Sequence, residues 1–162
     1  MNTTAVVNHI TKWLKSYADK TNMKGFVVGV SGGIDSAVTS TLCAKTGLSL
    51  WCLEMPIHQA PSHVSRAQEH ISHLKNTYSN VASSRVDLTP TYEALKSEVS
   101  TDSTQDEIEM ALANTRARLR MTTLYYHAGL KGFLVAGTGN KVEDFGVGFY
   151  TKYGDGGVDL SP

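Results

Sequence analysis

The sequence predicts an α/β fold: a doubly wound, mostly parallel sheet with helices on both faces. Three observations carry this. Short β-branched apolar stretches alternate with segments whose apolar residues recur at helical spacing. The first stretch, GFVVGV at 25–30, is continuously apolar rather than alternating, which marks a strand covered on both sides. It then runs straight into Ser-Gly-Gly and the opening of a helix, at the carboxyl end of a strand, where such sheets bind ligands.

Each element has its own justification. Val6, Val7, Ile10, Trp13, Leu14 and Tyr17 share a helical phase and predict a helix over residues 3–18. Residues 25–30 are the first strand, and a helix over residues 35–45 follows, with Gly47 placed to cap its end. LSLWCLEMP, residues 48–56, is the second strand, closed by Pro56. Ser62 can cap a third helix reaching about residue 74. NVASSRVDLTP holds a third strand near residues 84–88, and a short helix spans residues 92–99. After the polar stretch STDSTQDE, Ser103 or Thr104 caps a long helix to about residue 128, with Asp106, Glu107 and Glu109 near its positive end. GFLVAG, residues 132–137, is the fourth strand. The glycine-rich stretch after it reads as a loop, long for a compact domain and therefore functional.

Composition narrows the partners. The 162 residues suit one domain, 1–162, and are 41% hydrophobic and 19% charged. Lys+Arg and Asp+Glu balance at 15 each, so no broad basic field is available for nucleic acid or a membrane surface. No apolar run approaches the ~18 residues of a membrane span. The amino terminus patterns as an amphipathic helix rather than a signal peptide, and cytoplasm is the expected location. Cys43 and Cys52 suit neither a zinc ribbon nor a redox pair and read as buried, reduced thiols. The sequence stops at GGVDLSP, directly after the glycine-rich loop, so the chain is expected to be incomplete at its carboxyl end.

The Ser-Gly-Gly join is an anion cradle. Gly32 and Gly33 remove Cβ atoms that would hold a phosphate away from the backbone. The free N–H groups of the first helical turn favour a negative ligand, and Ser31 and Ser36 can add hydroxyl donors. The loop is neither G-x-x-x-x-G-K-[ST] nor G-x-G-x-x-G. Asp35 stands where a base might be looked for. It is either a ligand for Mg²⁺ bridging phosphate oxygens or simply a first-turn acid complementing the helix dipole. The second charged segment, GTGNKVEDFGVGFYTKYGDGGVDLSP at 137–162, supplies Thr138, Lys141, Glu143, Asp144, Lys152, Asp155 and Asp159. Glu143 can be a second carboxylate for the same cation and Lys152 can bind a phosphate or carboxylate; the alternative for each is a solvated loop charge.

The residues SGGIDS at 31–36 resemble the S-G-G-x-D-S motif of the N-type ATP pyrophosphatases, whose fold is Rossmann-like. Together with NTRARLRM at 114–121 and the 137–162 segment, in order and spacing, they resemble ammonia-dependent NAD synthetase over essentially the whole chain. The resemblance implies ATP binding by Gly29, Val30, Ser31, Gly32, Gly33, Ile34, Asp35, Ser36 and Thr138. It implies contact with deamido-NAD by Arg118, Lys152 and Asp159, and Mg²⁺ held by Asp35 and Glu143. The run between Glu143 and Lys152 is one residue longer than in some members. The implied reaction amidates deamido-NAD to NAD with ammonia through an adenylate, releasing AMP and pyrophosphate, in a cytoplasmic homodimer. No covalent protein nucleophile is needed. The alternatives are another N-type pyrophosphatase, GMP synthetase-like, or a non-catalytic adenine-nucleotide-binding module. Only 28 residues precede Gly29, too few for a glutamine amidase, so free ammonia or a partner is the expected nitrogen source.

Helical geometry adds an independent reading of the long helix. At 100° per residue Ile108, Ala111, Leu112, Thr115, Leu119 and Thr122 form one stripe expected to be buried. Arg118 falls on one flank with Met121 and Tyr125, while Arg116 and Arg120 fall on the other. A cleft or subunit contact and a solvent-facing position are both open for Arg118. His63, His70 and His73 share a helix, read as exposed rather than metal-binding; the family resemblance places that helix near ATP, so that one histidine could approach the adenine. Tyr125 and Tyr126 are candidates for a subunit contact.

Overall fold

The computed structural model describes residues 2–99 and 103–162; residues 100–102 of the polar stretch before the long helix lie outside them. The elements run α1 (Thr3–Lys20), β1 (Gly25–Gly29), α2 (Ile34–Lys45), β2 (Ser49–Glu54), α3 (Pro61–Thr77), β3 (Val81–Arg85), α4 (Thr89–Glu98), α5 (Gln105–Lys131) and β4 (Leu134–Val135), with a π-helical turn at Val142–Val147. The four strands form one sheet in the order β3-β2-β1-β4, every pair parallel. The expected doubly wound fold is therefore present. Strand order reverses between β1 and β4, so the crevice where such sheets take ligands opens beside the carboxyl end of β1.

Side-chain alternation along β1 explains the two layers. Phe26, Val28 and Val30 face α1, α2 and α3, where Leu14, Leu42, Cys43, Ile71 and Leu74 complete one core cluster. Val27 faces the other way, with Leu53, Val135 and the α4–α5 residues Tyr92, Met121, Leu124 and Ala128. Both sides of β1 are closed, which is why its sequence is uniformly apolar. Among the described residues no helix is long and apolar enough to cross a membrane.

Boundaries depart from expectation where local signals compete. β3 lies at Val81–Arg85 rather than 84–88, because Val86, Asp87 and Leu88 lead into α4, which begins at Thr89 with a proline in its first turn. α3 starts at Pro61 behind Ala60, not at a Ser62 cap. α5 is capped by Thr104, whose hydroxyl and the Glu107 carboxylate form a capping box, and it runs on to Lys131, stopped by Gly132 in the left-handed region at φ 66°. β4 is only two residues long. The chain beyond it returns to the sheet instead of remaining a loop: Ala136 bridges Leu160 in parallel, Gly137 N–H donates to Leu160 O at 2.8 Å and Asp159 N–H donates to Val135 O at 3.1 Å.

Candidate active site

The site is built at the carboxyl ends of β1, β2 and β4. The backbone leaves β1 through Val30, whose N–H still donates to Leu53 O. It then turns at Gly32 with φ +82°, a conformation that strains any residue with a side chain. A Cβ there would also lie 2.4 Å from His63 O on α3. Arg66 fastens the same spot, its Nε donating to Gly32 O at 3.2 Å. Gly32 is thus required first by α3 packing, whereas a Cβ on Gly33 would meet only Ser31 Oγ, at 3.3 Å.

The loop organises itself with its own hydroxyls. Ser36 is 2% exposed, and its hydroxyl donates to Gly33 O at 3.0 Å while accepting the Ser31 N–H at 3.2 Å. Ser31 Oγ lies 3.2 Å from Ser36 Oγ and accepts the Gly33 N–H. The Ser36 proton is already committed to Gly33 O, so the Ser31 hydroxyl is the donor between the two. Neither is left over as the extra donor expected from sequence. What remains open are backbone amides: among the described residues the N–H groups of Gly32, Ile34, Asp35 and Ser36 donate to no protein acceptor. No side chain caps α2, in contrast to α1 and α5, which carry Asn2 and Thr104. An uncapped helix of 12 residues with free amides at a glycine turn is suited to an anion. One turn further, Thr39 Oγ1 donates to Gly137 O at 3.3 Å, tying α2 to the segment that leaves β4.

That segment carries the second set of charges. Asn140 Oδ1 accepts the N–H groups of Val142 and Glu143, setting the π-helical turn that presents Glu143. Further on, Thr151 Oγ1 donates to Asn114 Oδ1 at 2.7 Å and Arg118 Nε donates to Lys152 O at 3.1 Å, so the segment is seated on α5. Asp35 is half-buried and Glu143 exposed, and among the described residues neither carboxylate has a hydrogen-bond or ion-pair partner in the chain. No group of three or more His, Cys, Asp or Glu among those residues is placed to hold a metal. Two unpartnered carboxylates suit a hard cation that completes its shell with water and phosphate oxygens, not one caged by protein alone.

Between these walls lies a cavity of about 280 Å³. Gly29, Val30, Ser31, Gly137 and Thr138 line one side, and Met55, Gln59, Arg120, Leu124 and Val158 are among those lining the other. Comparison with known proteins reads directly onto this frame. Residues 6–162 match the NAD synthase family. The chain belongs to that family. It is 39% identical over its whole length to the NH(3)-dependent NAD(+) synthetase of Finegoldia magna, covering 64% of that protein. It is 41% identical over 94% of its length to the enzyme of the same name from Carboxydothermus hydrogenoformans, covering 61% of it. The structure of an NMN synthetase from Francisella tularensis matches all of the chain with a TM-score of 0.89 at 34% identity, covering 64% of that chain. The chain therefore spans a little over three-fifths of the length of these relatives.

Within this NAD synthase family member, the expected nucleotide residues Gly29, Val30, Ser31 and Thr138 face one cavity, whereas Gly32, Gly33 and Ile34 line a separate hollow with Arg66 and His70, and Asp35 and Ser36 follow in the first turn of α2. The three residues expected to meet the second substrate sit differently. Arg118 is exposed and outside the cavity lining, and Lys152 is exposed with its ammonium 5.0 Å from the Tyr153 ring centre. Asp159 anchors β4: its carboxylate accepts the Val135 N–H at 2.8 Å and the Tyr125 hydroxyl at 3.0 Å. Burial and the Asp159 carboxylate push the Tyr125 phenol up to about 12, so it stays a donor. The arginine that does enter the cavity is Arg120, and the sequence reading assigned it no role. Of the stripe expected on α5, Ile108, Leu112, Thr115 and Leu119 are half-buried, while Ala111 and Thr122 are exposed. The fully buried line is Met121, Leu124 and Ala128, with Ala117 and Arg120 beside it in the cavity lining. The spacing 117, 120, 121, 124, 128 is itself helical and was the available signal.

Proposed function

We propose that this chain is the nucleotide-binding part of an ammonia-dependent synthetase that amidates deamido-NAD to NAD, consuming ATP and releasing AMP and pyrophosphate. The observation that carries the reading is the set of open amides at the start of α2, beside a cavity lined by Ser31 and Thr138, with Thr39 tying α2 to the segment that leads to Glu143. Free N–H groups of Gly32, Ile34, Asp35 and Ser36 bind the triphosphate and donate to the charge that grows on the leaving pyrophosphate. A pyridine carboxylate oxygen attacks the α-phosphorus, the bond to the β-phosphate oxygen breaks, and pyrophosphate leaves with the electron pair. Ammonia then adds to the acyl carbon, AMP departs, and the surplus proton is lost to solvent. Leu53, Met55, Leu124 and Val158 form an apolar wall that keeps water from the adenylate. Asp35 and Glu143 are the residues that would hold Mg²⁺, which when bound supplies neutralisation of phosphate charge.

Two further features belong to the proposal. The relatives from Finegoldia magna and Carboxydothermus hydrogenoformans are named as NH(3)-dependent, and ammonia is accordingly the nitrogen source. The chain's only thiols, Cys43 and Cys52, are buried, and burial raises both above the ordinary range, Cys52 to about 12, so neither is a reactive amidase nucleophile. A reducing, cytoplasmic setting suits these unpaired thiols. A homodimer is supported by the apolar surface near the end of α5, where Tyr126 and Leu130 are 64% and 67% exposed.

The similarity to an NMN synthetase makes the length of the acid substrate the open specificity question, with nicotinate mononucleotide as the second reading. Purified protein is incubated with ATP, Mg²⁺, ammonium and either deamido-NAD or nicotinate mononucleotide, and AMP and amide are measured. Amide and AMP formed in equal amounts, only with acid present, support the proposal, and the faster acid names the substrate. ATP cleaved to ADP, or AMP released without any acid, would overturn it. Equal rates with glutamine alone would overturn the ammonia assignment.

A further inference from the structure

The cavity contains a cation with no counter-ion. Arg120 lines it from α5, and its Nε donates to Met55 O at 3.1 Å, at the end of β2. That single bond fixes the guanidinium plane and leaves the terminal nitrogens unassigned. No ion pair involves Arg120 among the described residues. Asp155, the one carboxylate in the lining, accepts the Thr151 N–H instead. Arg116, on the turn before, adds like charge and is itself engaged, its NH1 donating to the Tyr92 hydroxyl at 3.1 Å with the guanidinium 5.6 Å from that ring. Burial and the neighbouring Arg116 both push the Arg120 pKa down, the mark of a charge held at a cost in an unpaired place. Guanidinium in such a site normally has an anion partner. Among the described residues none is paired with it.

We propose that Arg120 binds an oxyanion of the acid substrate, its pyridine carboxylate or its 5′-phosphate, and is a substrate-positioning residue of this enzyme. This rests on the function proposed above. ATP already has partners for its charge: the amides of α2 and the carboxylates that would hold its cation. The acid must arrive ionised, because its carboxylate is the nucleophile, and in the cavity lining its only free positive partner is Arg120. A planar fork can hold one oxygen while the second remains free to attack phosphorus. Arg118 lies outside that lining, with its Nε bonded to Lys152 O.

The test uses Arg120→Lys, which keeps the charge and loses the fork, beside Arg120→Met, which keeps the aliphatic packing. Thermal melting first establishes that each variant is folded. ATP affinity is then titrated with Mg²⁺ alone, and acid affinity in the presence of a non-cleavable ATP analogue. The expected result is acid binding weakened about tenfold for Lys and up to about a hundredfold for Met, with ATP binding within about twofold of the parent. The product amide, NAD, separates the two oxyanions. If the carboxylate is the partner, NAD affinity is unchanged by the substitutions; if the phosphate is, NAD weakens with the acid. Acid affinity unchanged in a folded variant, or a loss confined to ATP, overturns the inference. If the parent itself binds no acid, it is the functional proposal that has failed, not the role of Arg120.

Discussion

Replacing Gly32 by alanine tests whether the glycine pair of the cradle is one feature or two. Gly32 sits at φ +82°, and forcing a side chain into the left-handed region costs roughly 1–2 kcal/mol. The added Cβ would stand 2.4 Å from His63 O and 3.2 Å from Ala67 N. Both obstacles are backbone atoms of α3, so a side-chain rotation cannot relieve them. The first turn of that helix has to retreat, an overpacking penalty of about 1–3 kcal/mol. Together these predict a loss of roughly 2–5 kcal/mol, and at about 2–4 °C per kcal/mol for a chain of this size the melting temperature falls by about 4–20 °C. Gly33→Ala makes the control. Gly33 has φ −90° and ψ 162°, which any residue adopts, and its Cβ meets only a serine hydroxyl. It should melt within about 2 °C of the parent yet bind ATP about tenfold or more weakly, because the added methyl obstructs close approach of a phosphate to the backbone of this turn. Thermal unfolding followed by circular dichroism, with ATP titration of each variant, measures both. A Gly32→Ala protein melting within 2 °C of the parent would show that α3 yields easily and that the packing argument is wrong.

Other expectations follow from the same geometry. Asp35→Asn and Glu143→Gln should each leave ATP binding in excess EDTA unaltered and abolish the gain on adding Mg²⁺; a retained gain in either would remove that residue from the cation site. Asp159→Ala should destabilise by about 1–3 kcal/mol, since the Val135 N–H loses its acceptor, and Tyr125→Phe by less than half of that; equal losses would mean the strand amide is not the important partner. For His70, burial and then His73 depress the pKa, while its Nε2 sits 2.8 Å from Ser40 Oγ. The folded state disfavours the proton, so this contribution is full above the unfolded value near 6.5 and declines as pH falls below it. The melting temperature of the parent should drop more between pH 7.5 and 5.5 than that of His70→Gln, and parallel drops would refute the assignment.

The fold was legible because its strongest signals are long-period ones. Continuous hydrophobicity in Phe26, Val27 and Val28 can only mean cover on both sides, and the two core clusters supply it. Weak signals failed for definable reasons. Val86 and Leu88 look like strand residues, but Thr89 and Pro90 open a helix immediately behind them, and the strand must end earlier to leave room. The buried face of α5 was misplaced because the helix changes neighbours along its 27 residues. Its first half meets α4 while its second meets the sheet, so one phase cannot describe both. The candidate site divides in the same way. Gly29 and Gly137, which leave β1 and β4 side by side in the sheet, both line the cavity. Side chains such as Arg118 and Arg120, two positions apart on one helix, are separated into outside and inside only by packing.

That separation bears on how the site is assembled. β4 pairs with β1 through two residues only, too little to hold a strand by itself. It is held from its far side by the returning chain: Leu160 O accepts the Gly137 N–H, and the Asp159 carboxylate takes the Val135 N–H. The segment that carries Glu143 is pinned at both ends by the sheet it completes, while Thr39 links its start to α2. The helix start with the open amides is therefore tied to the same short strand that sets where Glu143 and Lys152 stand, and hydrogen bonds through β4 connect the first and second motifs. Lys152 O is in turn fixed by Arg118. The signature arginine thus holds the backbone of the signature lysine.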